Sequence, residues 1–272
     1  MFHKHELIFK AILAAEAASK AILKIYSEGS GKVYLKSDQS PLTDADLAAN
    51  NEIISILSDT NIPLLSEEGK DIEYRLRSQW DLFWMVDPLD GTKEFISRNG
   101  EFTVNIALIE KNKPIGGVIW VPVKDTLYFA LKGMGAYKKS GFQASHCHSL
   151  QDVMSLSEKI SASTPQKTLK VVASRSHLNK ETQDFISDLS NKFGKVELIS
   201  CGSSLKFCTM AEGKAGIYPR FGPTMEWDTA AGHAIAEEAG CIVKHENGKD
   251  SFVYNKENLL NPAFVVWNKG YL

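Results

Sequence analysis

Three features of the 272-residue sequence predict a layered α+β fold. A long amphipathic helix opens the chain. The first half then runs through apolar stretches of strand length separated by turns, and the second half alternates strand-like with helix-like segments. Elements with one apolar face must bury it against another element, which stacks sheets and helices in layers. Hydrophobic residues make up 43% of the chain and charged residues 24%, which excludes a disordered composition. A formal net charge of −2 gives no electrostatic ground for a nucleic acid polymer as partner. No apolar run is long enough to cross a bilayer, and the first residues lack the apolar stretch of a secretory signal. Cys147, Cys201, Cys208 and Cys241 form no CxxC pair, so reduced thiols in a cytoplasm are expected.

Residues 6–27 carry Leu7, Ile8, Ala11, Ile12, Ala15, Ala18, Ile22 and Ile25 at three- and four-residue spacing, the stripe of a packed helix. Gly29-Ser30-Gly31-Lys32 looks like part of a phosphate-binding P-loop but fails its pattern. Tyr26 stands where the first glycine belongs, and Val33 follows where Ser or Thr is needed, so the segment reads as a helix exit and turn. Residues 36–46 form a polar loop into a helix ending near residue 58. Thr43 and Asp46 have capping-box spacing. Asp46 either caps that helix or faces a reaction centre as a base.

Residues 62–66 read as a short strand that ends in Glu67-Glu68-Gly69, either a charged surface turn or a second source of carboxylates. Residues 75–81 read as an exposed connection. Leu82 to Val86 is a continuous apolar run suited to a strand buried on both faces. Asp87 follows, and Pro88 lacks an amide donor, so the strand is expected to stop there. Asp90-Gly91 makes a turn, and Thr92 is placed to cap a short helix. Asp87 and Asp90 either serve that turn alone or hold a hard cation such as Mg²⁺, with phosphate at the helix amides beside it.

Strands are expected over 102–109, 115–121 and 126–131, with a hairpin turn at Lys111-Asn112-Lys113-Pro114, and one more turn and strand over 133–137. His146-Cys147-His148 lacks the further ligands of a zinc site and reads as loop. Residues 150–168, polar and rich in Ser and Thr, read as a linker. Two lobes are therefore expected, 1–150 and 151–272. In the second, strands at 169–173, 196–200 and 215–218 alternate with helices at 181–193, from the 202–206 turn to about 212, and at 229–239, the last closed by Gly240. Arg175, His177, Ser203, Ser204, Lys206 and Arg220 sit at strand ends, a distribution suited to an anionic ligand. Asp228, at the start of the last helix, is a cap or a third carboxylate of a metal site.

Taken in order, Glu67-Glu68, then residues 87–92 (DPLDGT), then Trp227-Asp228 with Ala230-Ala231-Gly232, the chain resembles the inositol monophosphatase superfamily, Mg²⁺-dependent, lithium-sensitive phosphomonoesterases, over nearly its whole length. Within it, residues 36–46 (KSDQSPLTDAD), 87–96 (DPLDGTKEFI), 174–177 (SRSH) and 203–233 are similar to the bacterial 3′(2′),5′-bisphosphate nucleotidases. Gly216 departs from the Asp of many relatives, at a position given no catalytic role.

The resemblance implies an αβαβα sandwich with the site between the lobes. It implies two to three Mg²⁺ per site: Glu67, Asp87 and the Leu89 carbonyl on one, and Asp87, Asp90 and Asp228 on a second. Glu67 would also reach a third through water. Two such cations, roughly 3.5–4 Å apart, clamp both sides of an in-line phosphoryl displacement. Catalytic roles fall to Asp46, Glu67 and Thr92, with Thr92 and Asp46 orienting and deprotonating the attacking water. Glu67, Leu89, Asp90, Gly91, Thr92 and Asp228 would surround the scissile phosphate. His177, Ser203, Lys206 and Arg220 would meet the nucleotide or its other phosphate.

The implied substrate is adenosine 3′,5′-bisphosphate (PAP), cleaved to AMP and phosphate in sulfur assimilation, with PAPS as a side substrate. An inositol or sugar monophosphatase shares the same metal core. A nucleotide sensor without catalysis would lack one of the carboxylates or Thr92, all of which are present. The resemblance also implies a cytoplasmic enzyme, loosely associated at most with the inner membrane face, and this sequence shows no lipid-anchor signal.

Overall fold

The computed structural model describes residues 3–29, 32–35, 41–143, 146–162, 168–174, 179–248 and 252–272. The chain begins with α1 (Lys4–Glu28), closed by Gly29 in the left-handed conformation, whose N–H bonds the Ile25 carbonyl. A small hairpin, β1 (Val33–Leu35) and β2 (Pro41–Thr43), leads into α2 (Asp44–Leu57). The seven-stranded sheet follows. It starts with β3 (Leu64–Ser66), α3 (Tyr74–Arg77), β4 (Leu82–Asp90) and α4 (Thr92–Ile96). The meander β5 (Thr103–Glu110), β6 (Lys113–Val121), β7 (Thr126–Leu131) and β8 (Gly135–Ser140) extends it. After α5 (Leu150–Ser155), β9 (Glu158–Ile160) adds the far edge strand, giving the order β3-β4-β5-β6-β7-β8-β9. The β3–β4 pair is parallel and the others are antiparallel.

The second sheet is built from β10 (Leu169–Ala173), α6 (Lys180–Phe193), β11 (Val196–Ser200), α7 (Leu205–Ala211), β12 (Ile217–Arg220), α8 (Glu226–Glu238), β13 (Cys241–His245) and β14 (Phe264–Asn268). Its strand order is β11-β10-β12-β14-β13. Period-two alternation sorts the side chains into layers. From β4, Trp84 and Val86 join α1 and α2 in one core, while Phe83 and Met85 join α7 and α8 in another. From the second sheet, Val172, Tyr218, Phe264 and Val266 face α7 and α8. Val171, Ile217 and Val265 face Phe185, Ile186 and Leu189 of α6. The order through the molecule is therefore helix, sheet, helix, sheet, helix, the expected αβαβα sandwich.

Two neighbouring glycines in β6 set how closely the layers approach. A Cβ on Gly116 would stand 2.4 Å from Ile8 Cδ1 of α1, and one on Gly117 would stand 2.3 Å from the Ala231 carbonyl oxygen of α8. Consecutive strand residues face opposite ways, so this one dipeptide lets a helix press onto each face.

Three sequence readings are corrected. Residues 150–168 are more than linker, because 150–155 form α5 and 158–160 pair with β8. Residues 75–81 are not simply an exposed connection. Arg77 is buried, and its guanidinium binds Asn255 Oδ1 and the Lys256 and Glu257 carbonyls. β4 does not stop at Asp87 but runs to Asp90, with a register shift. Among the described residues, no helix is long and apolar enough to cross a membrane.

Candidate active site

The register shift in β4 creates the site. Asp87 pairs with Asn105 and Asp90 with Thr103, so three steps along β4 oppose two along β5. The extra residue is a β-bulge, placed where Pro88 has no amide to give the ladder. In a regular strand, residues three apart face opposite ways; the bulge cancels that inversion. Asp87 and Asp90 therefore line one cleft. Gly91 turns the chain out of β4 at φ 94° and into α4.

Glu67 arrives from the parallel neighbour β3, where its N–H donates to the Val86 carbonyl at 3.1 Å. Ser66, whose hydroxyl donates to Asn50 Oδ1 at 2.7 Å, anchors that strand end. Asp228 arrives from the other half of the chain, in the first turn of α8, where its carboxylate accepts the Met225 N–H at 2.8 Å. Glu67, Asp87 and Asp228 each bring a carboxylate oxygen within 4.8 Å of the others. Asp90 acts on both Asp87 and Asp228.

Electrostatically the cluster is under strain. Burial first, then repulsion from Glu67, Asp90, Asp228 and Asp46, pushes the Asp87 carboxyl well above the usual carboxylate range. Burial, then Asp90 and Glu67, does the same to Asp228. The charges that act most on Asp87 are all carboxylates. Such a set is satisfied by a hard cation, for which carboxylate and carbonyl oxygens are the preferred ligands. The donor set thus fits Mg²⁺-type ions.

Asp46 caps its helix and also reaches Thr92 at the cleft. Its Oδ2 caps α2 by accepting from the Thr43 N–H and hydroxyl, and its Oδ1 accepts from Thr92 Oγ1 at 3.2 Å. Burial raises the Asp46 carboxyl, and hydrogen bonds from Thr43 and Thr92 oppose the rise. Thr92 Oγ1 also lies 3.5 Å from the Leu89 carbonyl oxygen. Asp46, Glu67, Asp87, Leu89, Asp90, Gly91, Thr92 and Asp228 are thus brought to one place.

The other expected contacts lie beside it. Ser203, Lys206 and Arg220 line a smaller cavity of about 130 Å³ that shares Asp90, Gly91 and Asp228 with the cleft of about 420 Å³. Ser203 Oγ donates to Asp90 Oδ2 at 2.7 Å, and Lys206 Nζ donates to the Ser203 carbonyl at 2.7 Å. Burial, more than any charge, lowers the Lys206 ammonium pKa. Arg220 donates from Nη2 to the Pro223 carbonyl, while its Nε is buried without a partner. Arg175 and His177 lie outside the described residues. Asn105 went unread as a site residue, and Ser204 was read only as a strand-end group suited to an anionic ligand. The Ser204 N–H donates to Asp90 at 2.7 Å, and its hydroxyl donates to the Asp228 carbonyl at 2.7 Å. Asn105 Nδ2 reaches both Ser204 Oγ and Asp90. A lone amide within the apolar run of β5 was the available signal. His146-Cys147-His148 gathers no further ligands among the described residues.

Comparison with known proteins matches residues 3–270 to the inositol monophosphatase family. The 3′(2′),5′-bisphosphate nucleotidase CysQ of Salmonella typhimurium is 44% identical over 255 residues, 93% of this chain and 96% of that protein. CysQ of Escherichia coli K12 is 43% identical over the same coverage. The crystal structure of CysQ from Bacteroides thetaiotaomicron, described as a bacterial member of the inositol monophosphatase family, superposes with a TM-score of 0.91 at 52% identity, covering 98% of each chain.

Proposed function

The chain belongs to the inositol monophosphatase family, and from that premise we propose that it is a divalent-cation-dependent 3′(2′),5′-bisphosphate nucleotidase, hydrolysing PAP to AMP and phosphate. The observation that carries the reading is the carboxylate cluster of Glu67, Asp87 and Asp228 at the cleft, with Asp87 buried at its centre. The choice of substrate rests on the nucleotidases that match nearly the full chain at 43–44% identity.

In this reading Glu67, Asp87, Asp90, Asp228 and the Leu89 carbonyl hold two or three Mg²⁺. When bound, the cations supply positive charge against the phosphate oxygens and acidify a water. The chain's own groups do the rest. Asp46 holds the Thr92 hydroxyl hydrogen, which leaves an oxygen lone pair to accept a hydrogen bond from the incoming water. The raised Asp46 carboxyl takes the water's proton through Thr92 as oxygen attacks phosphorus in line. The bond from phosphorus to the ribose oxygen breaks, that oxygen takes a proton from solvent water to become the hydroxyl of AMP, and Asp46 returns its proton to solvent. The first amides of α4 have no intrahelical acceptor and are free to donate to the scissile phosphate.

Lys206 and Arg220 supply positive charge to the adjoining cavity, where the second phosphate of PAP would sit, and the unpartnered Arg220 Nε suits an anionic acceptor. His177 is proposed, on the family resemblance alone, to contact the nucleotide or its second phosphate. PAPS, which carries the same 3′-phosphate, is a second substrate, and clearing PAP serves sulfur assimilation. We assign the enzyme to a reducing cytoplasm, in keeping with four buried free cysteines.

The test is phosphate release by the purified protein from PAP and inositol 1-phosphate in parallel, with Mg²⁺, with and without lithium. Preference for PAP with lithium inhibition supports the reading. Preference for inositol phosphate retains the cation site and removes the nucleotide assignment. No turnover of either by folded protein removes the enzyme.

A further inference from the structure

The carboxylate cluster joins two parts of the chain that are far apart in sequence, and a buried strap ties them. Residues 252–261 wrap the first turn of α8. Met225 bridges Leu260, the Glu226 N–H donates to the Leu259 carbonyl, and the Asn261 N–H donates to the Thr224 carbonyl. Asn261 Nδ2 adds donations to the Met225 carbonyl at 2.7 Å and Thr229 Oγ1 at 3.1 Å. The Glu226 carboxylate, fully buried, receives the N–H groups of Asn255 and Lys256 and the Lys256 ammonium. The strap thus takes hold of α8 on both sides of Met225, three residues from Asp228.

Arg77 holds the strap from the other side. It lies at the end of α3, just ahead of β4, which delivers Asp87 and Asp90. Nη1 donates to Asn255 Oδ1 at 2.8 Å and to the Lys256 carbonyl at 2.6 Å, and Nη2 donates to the Glu257 carbonyl at 2.7 Å. Asn255 Nδ2 returns a bond to the Arg77 carbonyl at 2.7 Å. These acceptors are neutral. A guanidinium only 3% exposed is costly to bury against neutral groups, and each of its bonds is specific in direction. Asn255 holds its place at φ 62°, a backbone conformation that Asn tolerates better than most residues.

We propose that Arg77 is a positioning residue for the cation site: through Asn255, Lys256 and Glu226 it fixes where Asp228 stands relative to Asp87 and Asp90. The inference rests on reading the carboxylate cluster as a divalent-cation site. Arg77 touches neither substrate nor cation. Its loss lets the α8 terminus and β4 settle independently, so the carboxylates no longer converge on one ion.

The experiment is calorimetric titration of Mn²⁺ into the purified full-length chain, alongside melting temperature and KM for PAP at saturating metal. Arg77→Met removes the donors at similar bulk. Asn255→Gly removes the same link while keeping the positive φ. Leu189→Ala, in the α6 core, is a control for lost stability alone. Arg77→Met and Asn255→Gly are expected to weaken Mn²⁺ binding by about 10- to 100-fold, the usual effect of losing a group that orients a ligand. KM for PAP at saturating metal should stay within about twofold of wild type, and the control should keep wild-type Mn²⁺ binding at a comparable melting temperature. Wild-type Mn²⁺ affinity in Asn255→Gly overturns the inference, whether or not Arg77→Met folds. Absence of Mn²⁺ binding by the wild-type chain overturns the cation reading, and this inference with it; the wild-type arm reports that failure separately.

Discussion

Asp87 shows what the site costs the molecule. It is buried among carboxylates that repel it, so without a cation its charged form is disfavoured. Asp87→Asn keeps the shape and removes that charge. Its turnover is expected to fall below about 1% of wild type, beyond the 10–100-fold typical of outer partners. Its melting temperature in chelator should rise, since repulsion and desolvation are relieved together. Activity assays and thermal denaturation in EDTA check both, and a lower melting temperature would remove the repulsion account. Lys206→Met is expected to raise KM for PAP about tenfold or more relative to inositol 1-phosphate, the scale of one charge-assisted contact; equal effects on the two substrates would take Lys206 out of the specificity role. The carboxylates and Thr92 were legible through the order of the family motif, because singly each fits a turn or a helix cap equally well. Asn105 and Arg77 were not, nor was the bonding of Ser204 to Asp90 and Asp228. Their importance lies in partners up to 180 positions away, such as the Glu257 carbonyl for Arg77, and no local pattern carries that information.

The elements that meet at β6 and α7 set the sandwich's spacing. Gly117→Ala would drive a methyl group into the α8 backbone, which cannot rotate aside as a side chain can. It is expected to cost about 1–3 kcal/mol, the range for overpacked cores, measured by denaturant unfolding. At the end of α7, Glu212 joins three elements: its carboxylate receives Tyr128 of β7 at 2.7 Å, Lys138 of β8 at 2.9 Å, and Lys214. Burial alone would raise this carboxyl, but the hydrogen bonds from Lys214, Tyr128 and Lys138 outweigh it and hold it below the ordinary value. A lowered folded-state pKa stabilises above the unfolded value and is lost as pH falls through the folded one. Glu212→Gln should therefore be less stable by about 1–2 kcal/mol at pH 7, with the deficit closing below about pH 4. A deficit that is constant with pH would contradict the charge-based account. Strands and helices with clear periodicity were readable, α1 and β10 among them. The short α3, α5 and β9 were not, because a single turn or three residues carry too little periodicity to read, and β9 is held by its pairing with β8.

The whole molecule stacks five layers, with α7 and α8 as the middle one. The layered class followed from the sequence, and the five-layer order from a family resemblance. The pairing order of the second sheet did not follow from either, because nothing in a strand's own residues states its neighbours. That order has a consequence for biosynthesis. β14 comes last among the strands in the chain yet lies inside the sheet, between β12 and β13. While the polypeptide emerges from the ribosome, β12 and β13 must wait with a gap between them, and the residues that clasp α8 arrive only just before the strand that fills it. A nascent chain stalled before residue 264 would hold every carboxylate of the site and still present an open sheet to chaperones, so competence should switch on abruptly near the end of translation.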